Sequence, residues 1–233
     1  ARRPGFARIP GGEEGAVQPM RTGEGRVGAG LDPSLLKKLG ANLYKSDIAT
    51  VAVKEGLQNA IDAVRGQDNG WVSVQIDTKT RSIVFTDNGT GMSPETAANE
   101  FMDVGGSLKL EGAAGGYGLA KVGLLSQAEY FRMETYWRDP ATGRVHKTEI
   151  WGSANDWVRG NLSYETTEVS PTASTGTTLE IIFEPNAELD WYRAQDFLRN
   201  FARFNRTANE VEIWFDGRKL SDSVSKIEFE SLR

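Results

Sequence analysis

The 233 residues contain no cysteine, so neither a disulfide nor a thiolate metal site can form. There is a single histidine, His146, in a predicted hairpin strand after Asp139-Pro-Ala-Thr-Gly143. It reads as a surface residue, and multi-histidine metal chemistry or a Ser-His-Asp triad has little support. No apolar run approaches the length that spans a bilayer, so no membrane partner is expected and the cytoplasm is the default location. Positive charge is not in surplus either: a formal net charge of −5 argues against a broad nucleic-acid surface. The 39% apolar content suffices for one sizeable core and a small appendage.

What the chain does have is an acid, an amide and a second acid on one face of a predicted helix. Ser46 and Asp47 suit an N-cap, and the run from Ile48 to Arg65 lacks proline and ends near Gly66. At about 100° per residue, Val53, Leu57, Ala60, Ile61 and Val64 share a stripe that should rest on a sheet. Glu55, Asn59 and Asp62 fall on the opposite face, below Ile48, Val51 and Ala52, so part of that face should be covered. A solvated polar stripe would show the same spacing.

Later segments narrow the choice. Residues 71–76 and 82–86 read as two strands joined by a polar turn around Thr78 to Thr80. The second strand runs into Asp87-Asn-Gly-Thr-Gly91, where two glycines let a flat ligand approach the backbone and a carboxylate can accept from an exocyclic amino group. Taken alone the string is also a good turn. Gly112 to Gly123 is a glycine-rich loop ahead of an apolar run, an arrangement that presents backbone N–H groups to phosphate. It is neither a P-loop nor a dinucleotide fingerprint. Ser174-Thr-Gly-Thr-Thr178 leads into the alternating strand Leu179, Ile181, Phe183.

In order, these segments read E-x-x-x-N-A-x-D-A, D-x-G-x-G-M, G-G-x-G-x-A and T-G-T before a strand. Over roughly residues 45 to 183 the chain thereby resembles the GHKL (Bergerat-fold) ATPases. These include gyrase B-type topoisomerases, the large heat-shock chaperone, MutL-type repair proteins and sensor histidine kinases.

The resemblance implies ATP and Mg2+ as ligands. Glu55 matches the general base for the attacking water, Asn59 the magnesium ligand, and Asp62 a polar residue that orients its neighbours. Asp87 matches the adenine-reading aspartate, with Thr177 helping through a water, and Gly89, Gly91 and Met92 lining the base pocket. Gly106, Ser107 and Lys109 match the start of a lid, and Gly115, Gly116, Tyr117, Gly118 and Leu119 would wrap the phosphates. The N-A-x-D-A form after Glu55 is closest to the chaperone, gyrase and MutL branch, which implies slow hydrolysis tied to lid closure, dimerisation or partner remodelling. A histidine-kinase-like phosphotransferase and a non-hydrolysing ATP sensor are the alternatives. A homodimer on ATP binding and a protein or nucleic-acid client are the partners implied, the client's identity being unreadable.

The expected fold is α+β: a two-layer sandwich with a mixed, mainly antiparallel sheet and helices on one face. Strands are expected near 129–137, 144–151 and 176–183, with a helix over 188–204. Val211, Ile213 and Phe215 alternate before a tight turn at Asp216-Gly217, and 226–230 reads as one more strand. Residues 1–30, rich in Gly, Pro and Arg, read as a flexible arm or linker of a longer protein. Residues 31–187 read as the ATP-binding domain. Residues 188–233 read as its end or the start of a transducer domain, which in relatives supplies a lysine to the γ-phosphate.

Overall fold

A computed structural model describes residues 20–27, 47–101, 125–204 and 211–220. Nine strands form one sheet in the order β1-β6-β5-β4-β7-β3-β2-β8-β9. They are β1 (Met20–Val27), β2 (Trp71–Asp77), β3 (Ser82–Asp87), β4 (Ala128–Arg138), β5 (Val145–Gly152), β6 (Leu162–Val169), β7 (Gly176–Phe183), β8 (Glu212–Phe215) and β9 (Arg218–Lys219). Among the described residues only the β2–β8 pair is parallel, so the sheet is mixed and mainly antiparallel, as expected from the hairpin-rich sequence. The helices are α1 (Ile48–Val64), α2 (Ala154–Arg159) and α3 (Trp191–Phe204), with a π-helical turn at Thr96–Phe101.

The cross-strand register sorts the sheet into two faces. Val74 lies opposite Phe85, Phe85 opposite Leu179, Leu179 opposite Met133 and Met133 opposite Ile150. All five are buried in one core, together with Val53, Leu57, Ala60, Ile61 and Val64 of α1. The stripe read from periodicity is therefore the buried face of the helix. Ala194, Leu198 and Ala202 of α3 join the same core, and α3 packs on α1. The opposite face of the sheet is charged: Lys147 Nζ bridges Glu134 (3.0 Å) and Glu149 (3.3 Å), and Arg132 pairs with Glu149.

Asp47 caps α1, accepting from Thr50 N at 3.0 Å. Its carboxylate also lies 3.8 Å from Arg193 Nε of α3, a link between the two helices. At the other end the chain leaves α1 through Arg65 and turns at Gly66, whose φ of +82° is open to glycine.

Within the first thirty residues, read as a flexible arm, Met20–Val27 form the edge strand β1, paired antiparallel with β6. The pattern is hard to see because MRTGEGRV has little apolar alternation. Strand β6 and helix α2 were also not anticipated. Helix α2 starts with a capping box, in which the Ser153 side chain accepts from Asp156 N while Asp156 Oδ2 accepts from Ser153 N. At the C-terminal end, β8 pairs with β2, and Ile213 and Phe215 enter the common core. The possible strand at 226–230 lies outside the described residues.

Gly56 shows how closely α1 sits on the sheet. A Cβ there would overlap the ring of Phe85, leaving no room for any side chain. Gly56→Ala would gain helix propensity of up to about 1 kcal/mol, yet force the helix off β3. We expect it to destabilise the protein by about 1–3 kcal/mol in a denaturant titration.

Candidate functional site

The site lies where α1 meets the loop after β3. Glu55, Asn59 and Ala63 follow one another at four-residue intervals, so they stack along a single line of α1. The Glu55 side chain is 18% exposed, with Lys54 Nζ 4.0 Å from Oε1. Asn59 is half-buried. Asp62 lies beside that line, its Oδ1 2.7 Å from Arg65 Nη2, so its carboxylate is engaged at the helix end.

The last residue of β3 is Asp87, which is buried. Its Oδ1 accepts from Gly89 N at 2.8 Å and from Thr177 N at 3.3 Å. Both amides bind the same oxygen, and among the described residues no donor reaches Oδ2. Burial pushes the Asp87 pKa up to about 7, although the two amide hydrogen bonds pull it down. Asn88 anchors the loop from the other side: its Oδ1 accepts from Trp71 N at 2.7 Å and its Nδ2 donates to Asn69 O at 2.8 Å.

Two glycines hold this loop against its neighbours. A Cβ at Gly89 would lie 2.6 Å from the Ala63 carbonyl of α1, and one at Gly91 (φ +68°) would overlap the Tyr136 carbonyl of β4. Only glycine allows the loop this close to both walls. Gly176, at the start of β7, is pressed in the same way against the Asp87 carbonyl. Across the sheet, Asp87 lies opposite Thr177, and Thr177 opposite Thr135. Thr135 Oγ1 is 3.0 Å from Thr177 Oγ1 and accepts from Met92 N at 2.9 Å.

The structure thus brings the Ala63 turn of α1 against the loop from Asp87 through Gly89 and Gly91 to Met92, and that loop against Thr177, while Glu55 and Asn59 lie further back along the helix. Gly106, Ser107, Lys109, Gly115, Gly116, Tyr117, Gly118 and Leu119 lie outside the described residues. Sequence reasoning missed Asn88, Thr135 and Gly56. Asn88 could have been noticed as an Asx residue in a turn, but Thr135 is visible only once the pairing of β4 with β7 is known.

The arrangement is a buried acceptor at the end of a strand, with close-packed backbone around it and a carboxylate and an amide further along one helix. A family model described as "Histidine kinase-, DNA gyrase B-, and HSP90-like ATPase" matches residues 46–177, more than half of the chain. The chain belongs to this GHKL family, and its core is an ATP-binding domain of that type. A search of curated proteins found no match to the chain. Among the described residues no helix is long and apolar enough to cross a membrane.

Asp87 also makes the apo protein sensitive to pH. The folded chain holds its proton up to about pH 7, whereas an ordinary aspartate releases it near 3.8. The native state therefore binds the extra proton between these values, and stability falls as pH rises from about 4 to 7, then levels off. Asp87→Asn keeps an acceptor for both amides without the charge. It should raise stability at pH 8 by on the order of 1–4 kcal/mol, with the gain shrinking toward pH 4 in parallel denaturant titrations.

Proposed function

We propose that this chain binds ATP with its adenine against Asp87 and hydrolyses it with the help of Mg2+. The observation that carries this reading is the state of the Asp87 carboxylate: buried, fixed through Oδ1 by two backbone amides, and left with Oδ2 for a donor such as an exocyclic amine. Gly89, Gly91 and Met92 line the base, and Thr177 supports it. Glu55 lies eight residues before Ala63, about 12 Å along the helix axis. The line of α1 thus leads from the base end of an extended ligand toward its phosphates.

In this reading Glu55 accepts a proton from a water as that water's oxygen attacks the γ-phosphorus; the bond to the β–γ bridging oxygen breaks and ADP leaves with the electron pair. Among the described residues no three His, Cys, Asp or Glu side chains gather as a cation cage. A magnesium ion held by one side-chain oxygen, from Asn59, with phosphate oxygens and waters completing its shell, fits such a site. When bound it would neutralise charge on the phosphates. Asp62, engaged with Arg65, steadies the end of the helix. Gly106, Ser107 and Lys109 are the proposed lid contacts, and Gly115, Gly116, Tyr117, Gly118 and Leu119 the phosphate wrap. Closure of that segment over bound ATP is proposed to favour a homodimer and the remodelling of a protein or nucleic-acid client. These last roles rest on the motif resemblance.

Magnesium-dependent phosphate release and calorimetric ATP binding test the reading together. Glu55→Ala should bind ATP within a few-fold of wild type while losing turnover by about 100-fold or more, and Asp87→Asn should lose binding. Turnover unchanged in Glu55→Ala would remove Glu55 from its role. Transfer of the γ-phosphate to a protein histidine would replace hydrolysis with the kinase reading. An increase in mass with a non-hydrolysable ATP analogue is the expected sign of dimerisation.

A further inference from the structure

We propose that Thr135, a residue of none of the nucleotide motifs, is a positioning residue that holds the two walls of the base pocket in register; the inference rests on the ATP-binding reading above. Thr135 lies in the middle of β4, fully buried, on the same face of the sheet as Asp87 and Thr177. One wall of the pocket is the loop from Gly89 to Met92, and the other is the start of β7 at Gly176 and Thr177. The Thr135 hydroxyl touches both. It accepts from Met92 N at 2.9 Å, shares a hydrogen bond with Thr177 Oγ1 at 3.0 Å, and lies 3.4 Å from the Gly176 carbonyl.

A hydroxyl has one proton and two acceptor sites. Met92 N can only donate, so it occupies one acceptor site, and the remaining acceptor site and the proton face β7. The Thr135 hydroxyl thus links Met92 to Thr177, and no apolar side chain can reproduce that link. The loop cannot compensate by moving closer to β4, since the Gly91 backbone is already against the Tyr136 carbonyl. Thr135→Val would keep the shape of threonine but leave the Met92 amide, a part-buried donor, without its acceptor, so that the loop shifts to find another. That movement would displace Met92 and loosen Thr177, while Asp87 keeps its own two amides. The base contacts would weaken with the fold intact.

The test compares Thr135→Val with Thr135→Ser in the full chain, measuring thermal unfolding and binding of ATP and GTP. Thr135→Val should weaken ATP binding by about tenfold or more, with GTP affected less, so the preference for ATP narrows. Thr135→Ser, which keeps the hydroxyl, should restore both the affinity and the preference. Equal ATP affinity in Thr135→Val and wild type would overturn the inference, as would a loss of affinity that serine fails to rescue in a folded protein. Should wild type itself bind no adenine nucleotide, the ATP-binding reading fails first; binding by wild type with no effect of Thr135→Val removes only the role of Thr135.

Discussion

The hydrogen bonds from Gly89 N and Thr177 N to one oxygen of Asp87 are the interaction on which the site depends. They join the end of β3 and the glycine loop that follows it to the start of β7, 90 residues further along the chain. A carboxylate so deeply buried is costly to ionise, as its raised pKa shows. Two backbone donors on the same oxygen offset part of that cost and fix the direction of the other oxygen. Above neutral pH this buried charge works against the stability of the fold, and in the proposed reading its compensation is the ligand.

Around this carboxylate the packing is set by missing side chains. Gly56 lets α1 lie flush on Phe85, Gly89 lets the loop reach the Ala63 carbonyl, Gly91 lets it reach Tyr136, and Gly176 brings β7 against the Asp87 carbonyl. Four close approaches hold helix, loop and three strands at fixed separations. The line of Glu55 and Asn59 inherits its position from the first two, because the helix can neither rise from β3 nor slide past the loop without opening these contacts.

Much of this was legible in the sequence, for definite reasons. Helix α1 announced itself by the stripe from Val53 to Val64 and its Asp47 cap, and the β2–β3 hairpin by alternation around a polar turn. Asp87 and its glycines stood out because close backbone approach requires glycine. Where the sequence misled or was silent, the cause was long-range pairing. MRTGEGRV becomes a strand only because β6 offers an edge, and Leu162–Val169 is polar at most positions, so its alternation is faint. The capping box at Ser153 and Asp156 was a local signal for α2 that went unread. Thr135 carried no local signal, since its partners are 43 and 42 residues away in sequence.

Asp87, Thr177 and Thr135 occupy one row across three neighbouring strands. In a sheet whose side chains alternate, a slip of β7 by a single position would turn Thr177 to the charged side and leave Asp87 facing a residue meant for the other surface. In the proposed reading, correct strand alignment and a formed base pocket are therefore the same condition. Nucleotide binding energy would accrue only to properly aligned molecules, and the ligand would act as a template that selects the native pairing over its misaligned competitors.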